Sequence, residues 1–353
     1  MTGRERVLAA IDRKPVDRIP SDLWATPDVY RALKAHFHTD DQFEVWDKLG
    51  VDGVFRTGPK YIGKDRTLPD GTQTEIWGIQ YKEEIDPDAS EPEYWEQTVF
   101  PLQDFTDPKQ LDDFNWENPA DYDYDGLAAE CREMSKKYAI MVGGVAPFFD
   151  LWNLFGQEQI LVNLALRREL VEATLEHVCD YRHEQLRLIC EATKGCADIT
   201  GLSDDFGSQK GLVMSIDMIR HFFWPHYRRC AKLAKSYGLR LFHHDDGAIR
   251  DLIPDLIDIG IDILNPIQRR CVGMEVEGLK RDFGKQLSFH GAVDNQHVLP
   301  FGTPDEVREE VRNDLATLGS DGTGYVIAPC HCIPAGTPVD NVLAMYDEIL
   351  KQG

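Results

Sequence analysis

The sequence predicts an α/β protein folded as a parallel (β/α)8 barrel, on three observations. Short apolar runs of strand length alternate with helical stretches from Tyr138 to the end of the chain. Several of these runs stop at clusters of His, Asp, Asn or Cys, as in a barrel whose loops carry chemistry at the carboxyl ends of its strands. Neither a Gly-x-Gly-x-x-Gly after a strand nor a phosphate loop occurs, so a dinucleotide-binding fold gains no support. A length of 353 residues is compatible with one barrel domain over 1–353, with an N-terminal extension.

In chain order, Val7, Leu8 and Ile11 give Arg4–Arg13 helical spacing. Pro15 and Pro20 end that pattern, and the extended segment Ile19–Trp24 supplies one strand. A helix over Pro27–His36 and a buried strand over Val51–Arg56 follow. From Thr57 to Asp125 the composition shifts to Pro, Gly, Asp and aromatic residues, with a hairpin expected at Asp70-Gly71. So many large apolar side chains argue for an excursion packed over the barrel mouth, not a disordered linker. Strands are then expected at Tyr138–Val145, Ala197–Leu202, Gly238–Phe242, Ile261–Asn265, Leu287–Gly291 and Gly324–Ala328. The helices between and after them are Leu151–Ala165, Arg168–Lys194, Ser215–Tyr237, a turn and helix from Gly247 to Ile259, Gly273–Phe283, Pro304–Leu318 and Val339–Lys351.

The 38 basic and 61 acidic side chains leave a formal charge of −23, which opposes nucleic-acid binding and disfavours a polyanionic substrate. The polar start, Met1–Arg6, carries no apolar signal core, and no window is long and apolar enough for a membrane span, so a cytoplasmic protein is expected. The eight cysteines show no small-scaffold spacing and fit a reducing compartment.

Candidate chemistry gathers at five strand ends: Asp204 and Asp205; His243, His244, Asp245 and Asp246; Asn265 and Gln268; His290 and Asp294; Cys330, His331 and Cys332. Each Asp taken alone reads as a helix cap or turn residue. Taken together, imidazoles and carboxylates at converging strand ends are the ligand types of a divalent metal, zinc in particular. The competing reading has one histidine bonding a buried carbonyl and the cysteines filling core space. Adjacent residues on a strand face opposite ways, so at most one of His243 and His244 faces the mouth.

The ordered motifs Arg4-Glu5-Arg6-Val7-Leu8, Pro15-Val16-Asp17-Arg18-Ile19-Pro20, Trp77-Gly78 and Asp204-Asp205-Phe206-Gly207-Ser208-Gln209 carry a resemblance. Phe242 to Gly247, Asp262 to Pro266, Phe289 to Asp294, and His331 ahead of Thr337-Pro338 and Asn341 extend it from end to end. The chain resembles the uroporphyrinogen decarboxylase superfamily, which also holds zinc-dependent cobalamin methyltransferases, all on a (β/α)8 barrel. True decarboxylases carry an Arg-rich segment after their first strand, where this chain reads Ser21-Asp22-Leu23-Trp24-Ala25-Thr26-Pro27-Asp28 with no basic residue. The methyltransferase branch carries His-x-Cys-Gly, matched here by His244-Asp245-Asp246-Gly247 with Asp in place of Cys, and a later Cys, near which stand Cys330, His331 and Cys332.

That resemblance implies zinc held by His244, Asp246 and either His331 or Cys330, with Asp204 or Asp205 relaying a proton or orienting a ligand. Asn265, Gln268, His290 and Trp24 would position a substrate. Harder ligands than thiolate suit polarising an oxygen, so the implied activity is O-demethylation of a small methoxylated substrate. The methyl would pass to a corrinoid carried by a partner protein, since no Asp-x-His-x-x-Gly motif occurs in this chain. A homodimer is implied by analogy. Tetrapyrrole decarboxylation and a non-catalytic binding barrel are the alternatives.

Overall fold

The structure, a computed structural model, describes residues 1–68, 72, 74–84 and 94–352. Seven parallel strands form one curled sheet, each pairing with the next in chain order. They are β1 (Val54–Thr57), β2 (Ala139–Val145), β3 (Ile199–Leu202), β4 (Arg240–His244), β5 (Ile263–Asn265), β6 (Ser288–Val293) and β7 (Tyr325–Pro329). Helices connect them, as the alternating pattern predicts.

The eighth strand expected at Ile19–Trp24 is not one. Ser21 and Ala25 make isolated parallel bridges to Ile327 and Ile333, and the Gly53 N–H donates to the Ser21 carbonyl (3.0 Å), so the segment lies between β7 and β1. Its irregularity has a local cause: Asp22 turns its carboxylate to the Val54 N–H (2.9 Å), taking a bond that a ladder carbonyl would otherwise accept. The helix expected over 215–237 is two, Ile216–Phe222 and Trp224–Ser236, because Pro225 has no N–H to continue the first. The helix expected over 151–165 likewise breaks at Gly156 (φ 84°) into Pro147–Phe155 and Gln157–Leu166. The hairpin expected at Asp70-Gly71 lies outside the described residues. In the 57–125 stretch, Lys60–Tyr61 pairs antiparallel with Tyr122–Asp123 and Gln80–Glu84 with Tyr94–Val99, and Trp77, Ile79, Leu102 and Leu111 are buried.

The inner face of the sheet is built in layers. Val54, Ala139, Ile199, Phe242, Ile263 and Val326 meet Val7, Ala10 and Ile11 of the helix Gly3–Ile11. That helix closes the end where the strands begin: the Ser288 hydroxyl donates to the Ile11 carbonyl (2.8 Å), and the Arg4–Asp198 and Arg240–Asp12 ion pairs (both 2.6 Å) flank it. A period of two then decides what faces the open end. Phe242 pairs with Ile263 and His244 with Asn265, while Ser288 pairs with Ile263, so Arg56, His244, Asn265 and His290 form the next inward layer. An apolar floor thus carries a polar layer. No helix among the described residues is long and apolar enough to cross a membrane.

Candidate active site

The alternation of β4 runs on past its end, with His244 and Asp246 on one face and His243 and Asp245 on the other. His243 and Asp245 are fully buried. His243 Nδ1 donates to the Leu202 carbonyl (2.6 Å), and Asp245 Oδ1 accepts from the N–H groups of Phe206 (2.9 Å) and Gly207 (3.1 Å). Burial draws the His243 imidazole down to about 4 from its ordinary 6.5. Unfolding then takes up a proton below pH 6.5, so the stability present above that value is lost as the pH falls toward 4. By pH 5 the loss due to His243 is about 2 kcal/mol. Between pH 7 and pH 5, urea unfolding will therefore show a drop about 2 kcal/mol larger in the native chain than in His243→Asn, where the other buried imidazoles still take up protons on unfolding.

His244, Asp246 and His331 each bring a ligand atom to within 4.8 Å of the others. His244 Nε2 lies 3.9 Å from Asp246 Oδ1. Burial raises the Asp246 carboxyl against the pull of His244 and His331, and lowers the His331 imidazole against the pull of Asp246. Both shifts disfavour isolated charge in the cleft. The Trp24 ring packs on both imidazoles, 4.7 Å from His331 and 5.6 Å from His244 between centroids. Arg56 sits 5.6 Å over that indole and donates to Asp22 Oδ2 (2.7 Å).

Main-chain contact places the two carboxylate loops. A Cβ on Gly207 would lie 2.1 Å from the Asp246 carbonyl oxygen, and Gly247 (φ 98°) would put one 2.6 Å from the Ser208 nitrogen. Only glycine lets these loops touch. Asp205 Oδ1 accordingly accepts from the Asp246 N–H (3.3 Å). Gln268 holds Asp246 from the other side, donating from Nε2 to Oδ1 (2.9 Å) and accepting the Gly247 N–H (2.7 Å). A cavity of about 860 Å³ lies over the end of β2, lined by Ile76, Ile79 and Tyr81 of the 57–125 stretch and by Gly144, Ala146 and Phe149. Two strand spacings, about 10 Å, separate β2 from β4.

The sequence pattern of the family described as "Uroporphyrinogen decarboxylase (URO-D)" matches residues 81–351. The chain belongs to the uroporphyrinogen decarboxylase family. Among solved structures, one described as "methyltransferase from Methanosarcina mazei" is 19% identical, covers 99% of each chain and gives a TM-score of 0.70, so this family member shares its fold. Another, described as a D-tagatose 3-epimerase-like protein, is 14% identical over 65% of this chain and 80% of that one, with a TM-score of 0.35 too low to carry an argument. No curated protein matches the sequence significantly.

Of the residues singled out in the sequence, this uroporphyrinogen decarboxylase family member brings His244, Asp246 and His331 together, with Trp24 against them and Asp205 and Gln268 bonded to Asp246. Cys330 stands apart. It is buried, its Sγ lies 3.4 Å from the Ile267 carbonyl, and burial pushes its thiol well up, away from the thiolate a metal needs. Cys332 is partly buried and its thiol is pushed up to about 11. Asp204 is a tie, accepting from the Phe149 N–H (2.8 Å) and the Tyr227 hydroxyl (2.9 Å). The Asn265 amide is engaged at both ends, by His244 and His290, so it supports the site from behind.

Two residues of the polar layer escaped the sequence reading. Asp22, fully buried, accepts from His290 Nε2 (2.9 Å) and Arg56. Burial pushes its carboxyl up, but Arg56 and His290 outweigh that and hold it well below the usual range. An Asp inside an extended apolar run was the available signal for Asp22, and two-residue spacing from Val54 was the signal for Arg56.

Proposed function

We propose that this family member is a cytoplasmic metal-dependent methyltransferase that moves a methyl group from a small methoxylated substrate to the corrinoid of a partner protein. The observation that carries this reading is the convergence of His244, Asp246 and His331 within 4.8 Å at the open end of the sheet. Two imidazoles and a carboxylate suit zinc, and three protein ligands leave a position for substrate. When bound, zinc would polarise the ether oxygen and the corrinoid would receive the methyl group.

The chain's own residues do the rest. Gln268 and the Gly207–Gly247 contact hold Asp246, and Trp24 walls one side of the imidazoles. Asp205 is the acid assigned to the oxygen left when the methyl departs. The 57–125 stretch roofs the cavity, whose Ile76, Ile79, Ala146 and Phe149 suit the apolar body of a substrate. Its Arg182 is already engaged by Asp150 through two bonds (2.8 and 2.6 Å), and Arg56 is engaged by Asp22. An uncharged aryl ether therefore fits better than the polycarboxylate a tetrapyrrole decarboxylase requires.

The test is elemental analysis of protein purified without chelator or affinity metal, then chelation and zinc add-back. Methoxybenzenes would be assayed with cob(I)alamin in place of the partner's corrinoid. The expected result is about one zinc per chain, with methylcobalamin formation lost on chelation and regained with zinc. Folded protein that takes up no divalent metal would overturn the proposal.

A further inference from the structure

Behind His244 runs a buried chain of hydrogen bonds whose directions can be read without knowing any proton position. Asn265 lies between two histidines: one end of its amide is 2.6 Å from His244 Nδ1, the other 2.9 Å from His290 Nδ1 and 3.2 Å from the His290 carbonyl oxygen. A carbonyl oxygen can only accept, so the end facing it is the NH2 group. Oδ1 therefore faces His244, and because an amide oxygen can only accept, His244 Nδ1 must carry the proton. The second N–H of Asn265 points at His290 Nδ1, which must accept, leaving the His290 proton on Nε2. That nitrogen donates to Asp22 Oδ2 (2.9 Å), and the carboxylate is held by Arg56 (2.7 Å) and the Val54 N–H (2.9 Å). Each link has one allowed polarity, and Asp22, His290 and Asn265 are all buried.

We infer that Asp22, His290 and Asn265 are positioning residues that hold His244 as its Nδ1–H tautomer and aim the Nε2 lone pair at the site shared with Asp246 and His331. The inference rests on the metal-binding reading of His244 for its purpose, but not for its geometry. In water the two neutral tautomers of an imidazole are close in energy, so an unsupported His244 would spend part of its time with a proton on the nitrogen that should bind metal. Removing the outer partner of a ligating histidine typically weakens metal binding 10- to 100-fold. The chain is assembled from distant stretches, since Asp22 precedes His290 by 268 residues, and it gives the irregular segment beside β7 a role in the site.

Two readouts test this. In metal-free protein labelled with 15N-histidine, the ring nitrogen shifts of His244, assigned by its loss in His244→Gln, should report the Nδ1–H tautomer in the wild type and a mixture in Asn265→Leu. In competition with a chromophoric chelator, zinc should bind about 10- to 100-fold more weakly to Asn265→Leu and Asp22→Asn. Their metal-free melting temperatures separate this from general destabilisation, because a purely structural role would move the melting temperature and leave zinc affinity alone. Asp22→Asn acts at the far end of the chain and leaves the Asn265 side chain in place, so it remains informative if Asn265→Leu does not fold. An Nε2–H tautomer in the wild type, or zinc affinity within twofold of wild type in both folded variants, would overturn the inference. If wild-type protein binds no divalent metal, the proposed function fails while the tautomer measurement still decides the positioning.

Discussion

Under the proposed function, alanine at His244 or at His331 is expected to abolish zinc binding while leaving the fold intact. Each residue supplies one of three ligand atoms gathered within 4.8 Å, and two ligands do not hold a divalent ion against water. The loss in affinity should exceed about 100-fold, the upper end of what removal of an outer partner costs, and methyl transfer should fall with it. Both imidazoles are partly exposed at the mouth, so the cost in folding stability should stay within about 1 kcal/mol. Cys330→Ala is the matching control. Its thiol sits in the core against the Ile267 carbonyl, so that variant should keep its metal and lose about 1 kcal/mol of stability. Elemental analysis and urea unfolding of the three variants check both halves. A metal-free Cys330→Ala beside a metal-replete His331→Ala would reverse the assignment of the third ligand.

The largest expected loss of stability comes from Phe206→Ala. Phe206 follows Asp205 in the loop after β3, and its fully buried ring joins Phe148 (5.5 Å, stacked), Phe223 (5.2 Å) and Trp224 (5.7 Å between centroids). Its N–H also binds the buried Asp245 carboxylate (2.9 Å). Truncation leaves a cavity bounded by large rings that cannot all collapse into it, at a cost of about 3–5 kcal/mol. Urea unfolding measures this directly, and Phe206→Leu should recover more than half of the loss. Because the same loop presents Asp205 to the Asp246 N–H, Phe206→Ala should weaken metal binding as well. A loss below about 1 kcal/mol would mean that the loop owes its position to the Gly207–Gly247 contact and not to the aromatic cluster.

What the sequence determined about this protein by itself is what depends on period and on neighbours along the chain. The order of strands and helices follows from apolar spacing. Alternation alone puts His244 and Asp246 on one face and His243 and Asp245 on the other, because successive side chains on a strand must point opposite ways, but it does not say which pair faces the mouth. Such local rules fail where a side chain replaces the backbone, as Asp22 does when it takes the Val54 N–H and leaves the Ile19–Trp24 segment without a regular ladder.

Only the tertiary structure decided which distant residues share a partner. His331 joins His244 and Asp246 while its neighbour Cys330 turns into the core, a choice made beyond the end of β7, where strand alternation no longer applies. Asn265 and His290 read in the sequence as substrate-facing groups, yet they stand behind His244, because the register of β4, β5 and β6 brings their side chains into one buried row. Period sets the face on which a residue lies; register and the pairing of remote segments set what it meets there.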